Sequence, residues 1–88
     1  MNNIKSIDFW QIDEQEALIL MKSDYRVFSA AMIEMMKVDN FDNFLPSGLR
    51  TFSSFYYDNH KFIYENHGNF EIIYFEFLKW IEKDENIF

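Results

Sequence analysis

Phe70-Glu71-Ile72-Ile73-Tyr74-Phe75-Glu76-Phe77-Leu78-Lys79-Trp80-Ile81-Glu82-Lys83 is the stretch whose reading decides the fold. Its Phe, Ile and Tyr content carries strong β propensity, and as a strand it would make the chain α+β. Its charges do not alternate as a half-buried strand requires. At 100° per residue Glu71, Glu76, Lys79, Glu82 and Lys83 fall within one arc of roughly 140°, which is a helical period. The spacing therefore predicts a helix over 70–83, with its remaining Phe, Ile, Tyr, Leu and Trp residues mostly buried. Gly68 just before it is a natural left-handed stop for a preceding helix, and Asn69 is positioned to cap the new one.

Working back from Gly68, a third helix is expected from near Ser47, because Pro46 discourages an earlier start. Leu49, Phe52, Phe55, Tyr56, Phe62 and Ile63 form its apolar stripe. A second helix is expected at about 24–38, capped by Ser23. Val27, Phe28, Ala31, Met32, Met35 and Met36 share one of its faces, opposite Arg26, Glu34 and Lys37. Together with Met21, these methionines read as core filling, although a Met-rich adaptable binding surface has the same spacing. Asp13 and Glu16 match a capping box for a first helix ending near Lys22, with Ala17, Leu18, Leu20 and Met21 on one side. Residues 4–12 show no clean period and read as an extended lead-in or short strand.

Between the second and third helices stands a doubled Asp-Asn-Phe at residues 39–44. Asp and Asn bond their own downstream backbone, so this is a turn whose Phe41 and Phe44 point inward. It lacks the alternating oxygen ligands and central glycine of a calcium loop. The expected fold is thus all-α: a single domain over residues 1–88, a compact four-helix bundle with an extended N-terminal lead-in. Glycine and alanine are scarce, which predicts helices standing apart with aromatic rings between them.

The chain has 88 residues, among them 11 Phe, 5 Tyr and 2 Trp. One modest core can form at this length, but eighteen aromatic side chains do not all fit inside it. A homodimer or a preformed partner surface is therefore expected. With no cysteine, disulfides and thiolate chemistry are excluded, and a cytoplasmic location follows for a domain lacking such staples. Residues 1–8 lack the apolar core of a signal peptide, and the longest apolar run, Ala17–Met21, is too short to span a bilayer.

Fifteen acids against eight bases give a formal net charge of −7. Such a chain repels nucleic acid and anionic lipid, so a basic protein partner is favoured. The charge is uneven: residues 1–24 carry −3, residues 25–68 carry −1 and residues 69–88 carry −3. Asp13, Glu14 and Glu16 mark the first acidic end, and Glu71, Glu76, Glu82, Asp84 and Glu85 the last. If the first and last helices lay side by side, these carboxylates would form one negative surface, roughly imitating the phosphates of DNA. The same charge also keeps an aromatic-rich domain in solution.

Catalysis finds little support. Paired carboxylates need a cleft that splits their pKa values, and the acidic clusters here read as solvated helix faces. No nucleophile elbow, phosphate loop or HExxH pattern occurs. His60 and His67 are two helical turns apart, about 10.5 Å along a straight helix, too far to share one ion. The chain is thus expected to need no metal and no cofactor. Tyr57 and Tyr64 fall on the outer face of the third helix near Arg50, His60 and Lys61. They read either as a binding hot spot or as boundary residues folded onto a neighbouring helix.

Phe, Tyr, Met, Ile, Asn and Lys, whose codons are AT-rich, make up half the chain, whereas Gly, Ala, Arg and Pro make up under a tenth. That usage suits an AT-rich bacterial or phage genome. The function expected is a small acidic inhibitor of a nucleic-acid-handling protein. A DNA-mimicking, phage-encoded anti-defence protein, of which anti-CRISPR proteins are one type, fits size, charge and composition. An immunity protein or antitoxin that neutralises a basic toxin is the alternative, and an accessory structural subunit the third.

Overall fold

The computed structural model describes residues 7–37 and 45–83, so the doubled Asp-Asn-Phe segment, Asp84 and Glu85 lie outside the described residues. Among the described residues the elements are α1 (Glu14–Ser23), α2 (Tyr25–Lys37), a 3-10 turn at Ser47–Leu49, α3 (Arg50–Asp58), α4 (His60–Glu65) and α5 (Phe70–Lys83). No strand occurs among them, and the fold is all-α, with 70–83 helical as its charge period requires. None of these helices is long and apolar enough to cross a membrane.

The third helix is not continuous. It breaks at Asn59, whose side-chain Nδ2 donates to the Phe55 carbonyl oxygen at 3.0 Å, alongside its own backbone N–H. A short amide that bonds the preceding turn competes with the helical ladder, and the Asn59 backbone leaves the helical well (φ −118°, ψ 22°). Its carbonyl then accepts the Ile63 N–H at 2.8 Å and starts α4. Asn66 repeats the device, donating from Nδ2 to the Phe62 carbonyl at 2.8 Å. Gly68 follows with φ +88°, the left-handed turn that frees the chain to begin α5.

Two capping expectations are corrected. Asp13 occupies the N-cap position of α1, but its side chain makes no capping bond, so the Asp13–Glu16 capping box is not formed. Ser23 belongs to α1 and donates from Oγ to the Ile19 carbonyl at 2.8 Å, so it does not cap α2. Asp24 takes that role, its Oδ1 accepting the Arg26 N–H at 2.9 Å. The acid one position on accepts from a free N–H at the start of α2, whereas the serine hydroxyl is turned back into α1. The Arg26 guanidinium, hydrogen-bonded to both Asp24 oxygens at 3.2 Å, holds that carboxyl below its ordinary 3.8.

The lead-in is a turn and not a strand over the part that is described. The Asp8 carbonyl accepts the N–H groups of Gln11 and Ile12, and its carboxylate accepts that of Trp10 at 3.1 Å. This reversal drives Phe9 into the core. The turn is anchored from across the chain by the Gly48 N–H donating to the Phe9 carbonyl at 2.7 Å and by Ser47 Oγ donating to the Trp10 carbonyl at 2.9 Å.

The helices meet around aromatic rings. Phe77 of α5 contacts Phe28 of α2, Phe52 and Phe55 of α3, and Trp80, with centroids 5.2, 5.4, 5.2 and 6.2 Å away. Three of these pairs bring an edge or a tilted face, the arrangements that the ring quadrupole favours. Met21, Met32 and Met35 are buried and Met36 packs at the margin, so the methionines fill the core. The expectation that α5 is mostly buried is corrected. Only Ile73, Phe77 and Ile81 are fully inside, while Phe70, Tyr74, Leu78 and Trp80 are half-buried.

Candidate functional site

Residues Ile73, Phe77 and Ile81 define the inward line of α5, and the opposite side of the helix faces water. Glu71, Lys79, Glu82 and Lys83 are exposed there, and Glu76 is half-exposed at its edge. Within the same arc lie two large apolar side chains, Phe75 at 61% exposure and Ile72 at 41%. They are three residues apart and therefore adjacent on the helix surface, with Glu71 and Lys79 one turn either side of Phe75. Among the described residues the ion pairs are Asp24–Arg26 and Glu34–Lys37, and neither involves α5. The carboxylates of Glu71, Glu76 and Glu82 thus share the face around an exposed ring with Lys79 and Lys83, and none of the five is in an ion pair among the described residues.

The helix is held in this orientation from behind. Tyr74 Oη donates to the Lys22 carbonyl at the C-terminal end of α1, at 2.8 Å. The Tyr74 ring meets Tyr25 edge-on at 5.4 Å and Phe28 at 5.1 Å. From Tyr74 the rings continue outward to Phe75, 6.1 Å away, so the exposed phenylalanine is the surface end of an aromatic run rooted in the core. Glu71 in the first turn and Lys83 in the last also match the helix dipole.

The N-terminal carboxylates stand elsewhere. Asp13 and Glu14 line a shallow depression of about 350 Å³ with Gln11, Ile12, Ser47 and Arg50, where α1 meets the 3-10 turn. Glu14 Oε1 there accepts a hydrogen bond from Thr51 Oγ1 at 3.3 Å. Glu16 is exposed. The main neighbours of α1 are α2, the 3-10 turn and α3, whereas α5 packs chiefly on α2. The first and last helices are therefore not brought side by side in the way a merged acidic surface needs.

Tyr57 and Tyr64 are both on the outside, 60% and 79% exposed. The break at Asn59 puts them in different surroundings. Tyr64 lines an open pocket of about 390 Å³ with Met36, Tyr56, His60, Ile63 and His67, and Tyr57 is not part of that lining. The two histidines that a straight helix would separate thus face one hollow. His60 is held there by Nδ1, 3.1 Å from the Tyr57 carbonyl. Burial pushes the Tyr56 phenol above its ordinary 10.0. Arg50 lines the depression at Asp13 and Glu14.

No group of three or more His, Asp or Glu among the described residues is placed to hold a metal ion. EDTA is accordingly expected to leave the melting temperature unchanged. A loss of several degrees in a thermal melt would show that His60 and His67 hold an ion after all.

Phe75 and Ile72 were not among the residues that the sequence singled out. The signal was available. The 100° bookkeeping that gathers Glu71, Glu76, Lys79, Glu82 and Lys83 into one arc places both apolar residues inside it. No family model matches the chain, and no curated protein and no solved structure matches it.

Proposed function

We propose that this chain is a small acidic binding protein that inhibits a nucleic-acid-handling protein by occupying its basic surface. The observation that carries the reading is the solvent face of α5, where Glu71, Glu76 and Glu82 outnumber Lys79 and Lys83 and none of the five is in an ion pair among the described residues. A carboxylate spacing of one to two helical turns presents negative charge at intervals of about 5–10 Å, comparable with the phosphates of a nucleic-acid strand. A net charge of −7 steers the molecule toward such a basic surface and away from nucleic acid itself. Carboxylates on an exposed helix face suit contact with a basic partner surface, whereas acid–base work calls for a pair of them within a cleft.

The test uses the triple variant Glu71→Lys/Glu76→Lys/Glu82→Lys beside the wild type. Each is immobilised to capture partners from the native host. Any captured protein is then purified and its nucleic-acid binding assayed with the inhibitor added, from about 50 to 500 mM salt, through which the Debye length falls roughly threefold. The wild type is expected to suppress nucleic-acid binding at low salt and to lose at least a factor of about ten in affinity at high salt, because exposed charges act collectively. The triple variant should keep its melting temperature and lose the inhibition. A flat salt profile together with full inhibition by the triple variant would sink the reading.

A further inference from the structure

The face of α5 offers more than charge. A surface that imitated phosphates alone would have no use for a 61% exposed phenylalanine in the middle of its carboxylates, next to an isoleucine that is 41% exposed. Leaving both in water forgoes the gain of burying them, and a contiguous apolar patch with a polar rim is the usual mark of a docking site. We infer that Phe75 and Ile72 are the apolar anchor of this face, and that the partner is a protein with an apolar pocket rimmed by Lys or Arg. The inference rests on the reading of α5 as the binding face and names what that face recognises.

Geometry and charge carry it. Phe75 and Ile72 stand at i and i−3, the spacing with which an amphipathic helix lays its anchors into a groove. Glu71, Glu76 and Glu82 stand around them in a rim that also holds Lys79, and the excess of acids there, on a chain of net charge −7, favours a partner rim of mainly positive charge. Anchor side chains work best when the free protein already holds them in place, since ordering a flexible side chain on binding costs affinity. Phe75 is held in this way: its ring follows Tyr74, which is fixed by the Lys22 carbonyl and by Tyr25. A second copy of the chain fits less well, because it brings the same −7 to the interface. One helix face is also small against the roughly 1,200 Å² that stable interfaces bury, so the contact depends on a central anchor inside a charged rim.

The experiment compares two synthetic peptides of equal positive charge, one of lysine and serine, the other a helix-forming lysine and leucine sequence. Each is titrated into the isotope-labelled chain by NMR. The lysine–leucine peptide is expected to bind about tenfold more tightly, the return for burying one large apolar side chain, and to shift the amides around Ile72 and Phe75. Phe75→Ala should abolish that preference and leave the salt-sensitive affinity common to both peptides. The variant should fold normally, since the ring it removes is mostly in water.

Equal binding of the two peptides, or a preference that survives Phe75→Ala, overturns the anchor while leaving the acidic face intact as a binding surface. Failure of both peptides to bind overturns the acidic-face reading and the anchor with it. Concentration-dependent shifts at Phe75 without peptide, with a dimer mass in sedimentation, would make a second copy the occupant and overturn the heterologous partner.

Discussion

Phe77→Ala is expected to destabilise the fold by about 3–5 kcal/mol, measured as the shift of the urea unfolding curve followed by circular dichroism. The ring is fully buried and stands among Phe28, Phe52, Phe55 and Trp80, so its removal withdraws one side of four aromatic contacts at once. Three of those partners are large rings on α2 and α3 that cannot collapse into the space without moving their helices, and a core that cannot relax keeps the cavity. Since a domain of this size is stable by only about 5–15 kcal/mol, the variant should be largely unfolded in mild denaturant. Phe77→Leu keeps most of the volume and should cost far less, about 1–1.5 kcal/mol. Phe75→Ala, two residues away but on the outside, should fall within about 0.5 kcal/mol of the wild type. If Phe77→Ala cost no more than Phe75→Ala, the inward line of α5 would be misassigned.

That contrast between neighbours shows what was legible from the residues and what was not. Helix formation over 70–83 followed from charge period alone, and Leu49, Phe52, Phe55 and Ile63 were correctly expected inside. The core methionines followed the same rule. What periodicity could not supply was the number of faces a helix covers. Apolar character alone does not say which aromatic residues of α5 stay outside; α5 has its main neighbour in α2, leaving Ile72 and Phe75 in water. The break at Asn59 was equally hidden, because the apolar stripe runs through it with little change of phase. It depends on one amide hydrogen bond, Asn59 Nδ2 to the Phe55 carbonyl, that competes with the helix only when the backbone is already positioned. The consequence reaches the surface, since it separates Tyr57 from the pocket that Tyr64 shares with His60 and His67. Of the acidic residues read as candidates, α5 gathers Glu71, Glu76 and Glu82 on one arc. Asp13 and Glu14 belong to the junction of α1 with the 3-10 turn.

Gly48 guards that junction, and Gly48→Val is expected to destabilise it severely. A Cβ at this position would stand 2.5 Å from Ile12 Cγ2, 3.0 Å from the Phe9 carbonyl oxygen and 3.3 Å from the Ile12 carbonyl oxygen. The isoleucine methyl can swing aside, but the two carbonyls cannot, because the Asp8 turn and the Gly48 N–H bond to Phe9 fix the backbone that carries them. Overpacking of this kind costs about 1–3 kcal/mol. Alanine should fall in the lower part of that range and valine, with two more methyl groups, at or above its top.

The damage should be local before it is global. Pushing Phe9 and Ile12 away breaks the 2.7 Å anchor, exposes the buried Phe9 ring and releases the depression where Asp13 and Glu14 stand. Amide hydrogen exchange over residues 8–12 should accelerate well before that over α5. Gly68 makes the opposite comparison: nothing lies within 4 Å of a Cβ there, and the only obstacle is its φ of +88°. Gly68→Ala should therefore cost about 1–2 kcal/mol through backbone strain alone, with exchange at residues 8–12 untouched. Equal effects of the two substitutions on residues 8–12 would show that the close approach of Gly48 to Phe9 does not hold the N-terminal turn in place.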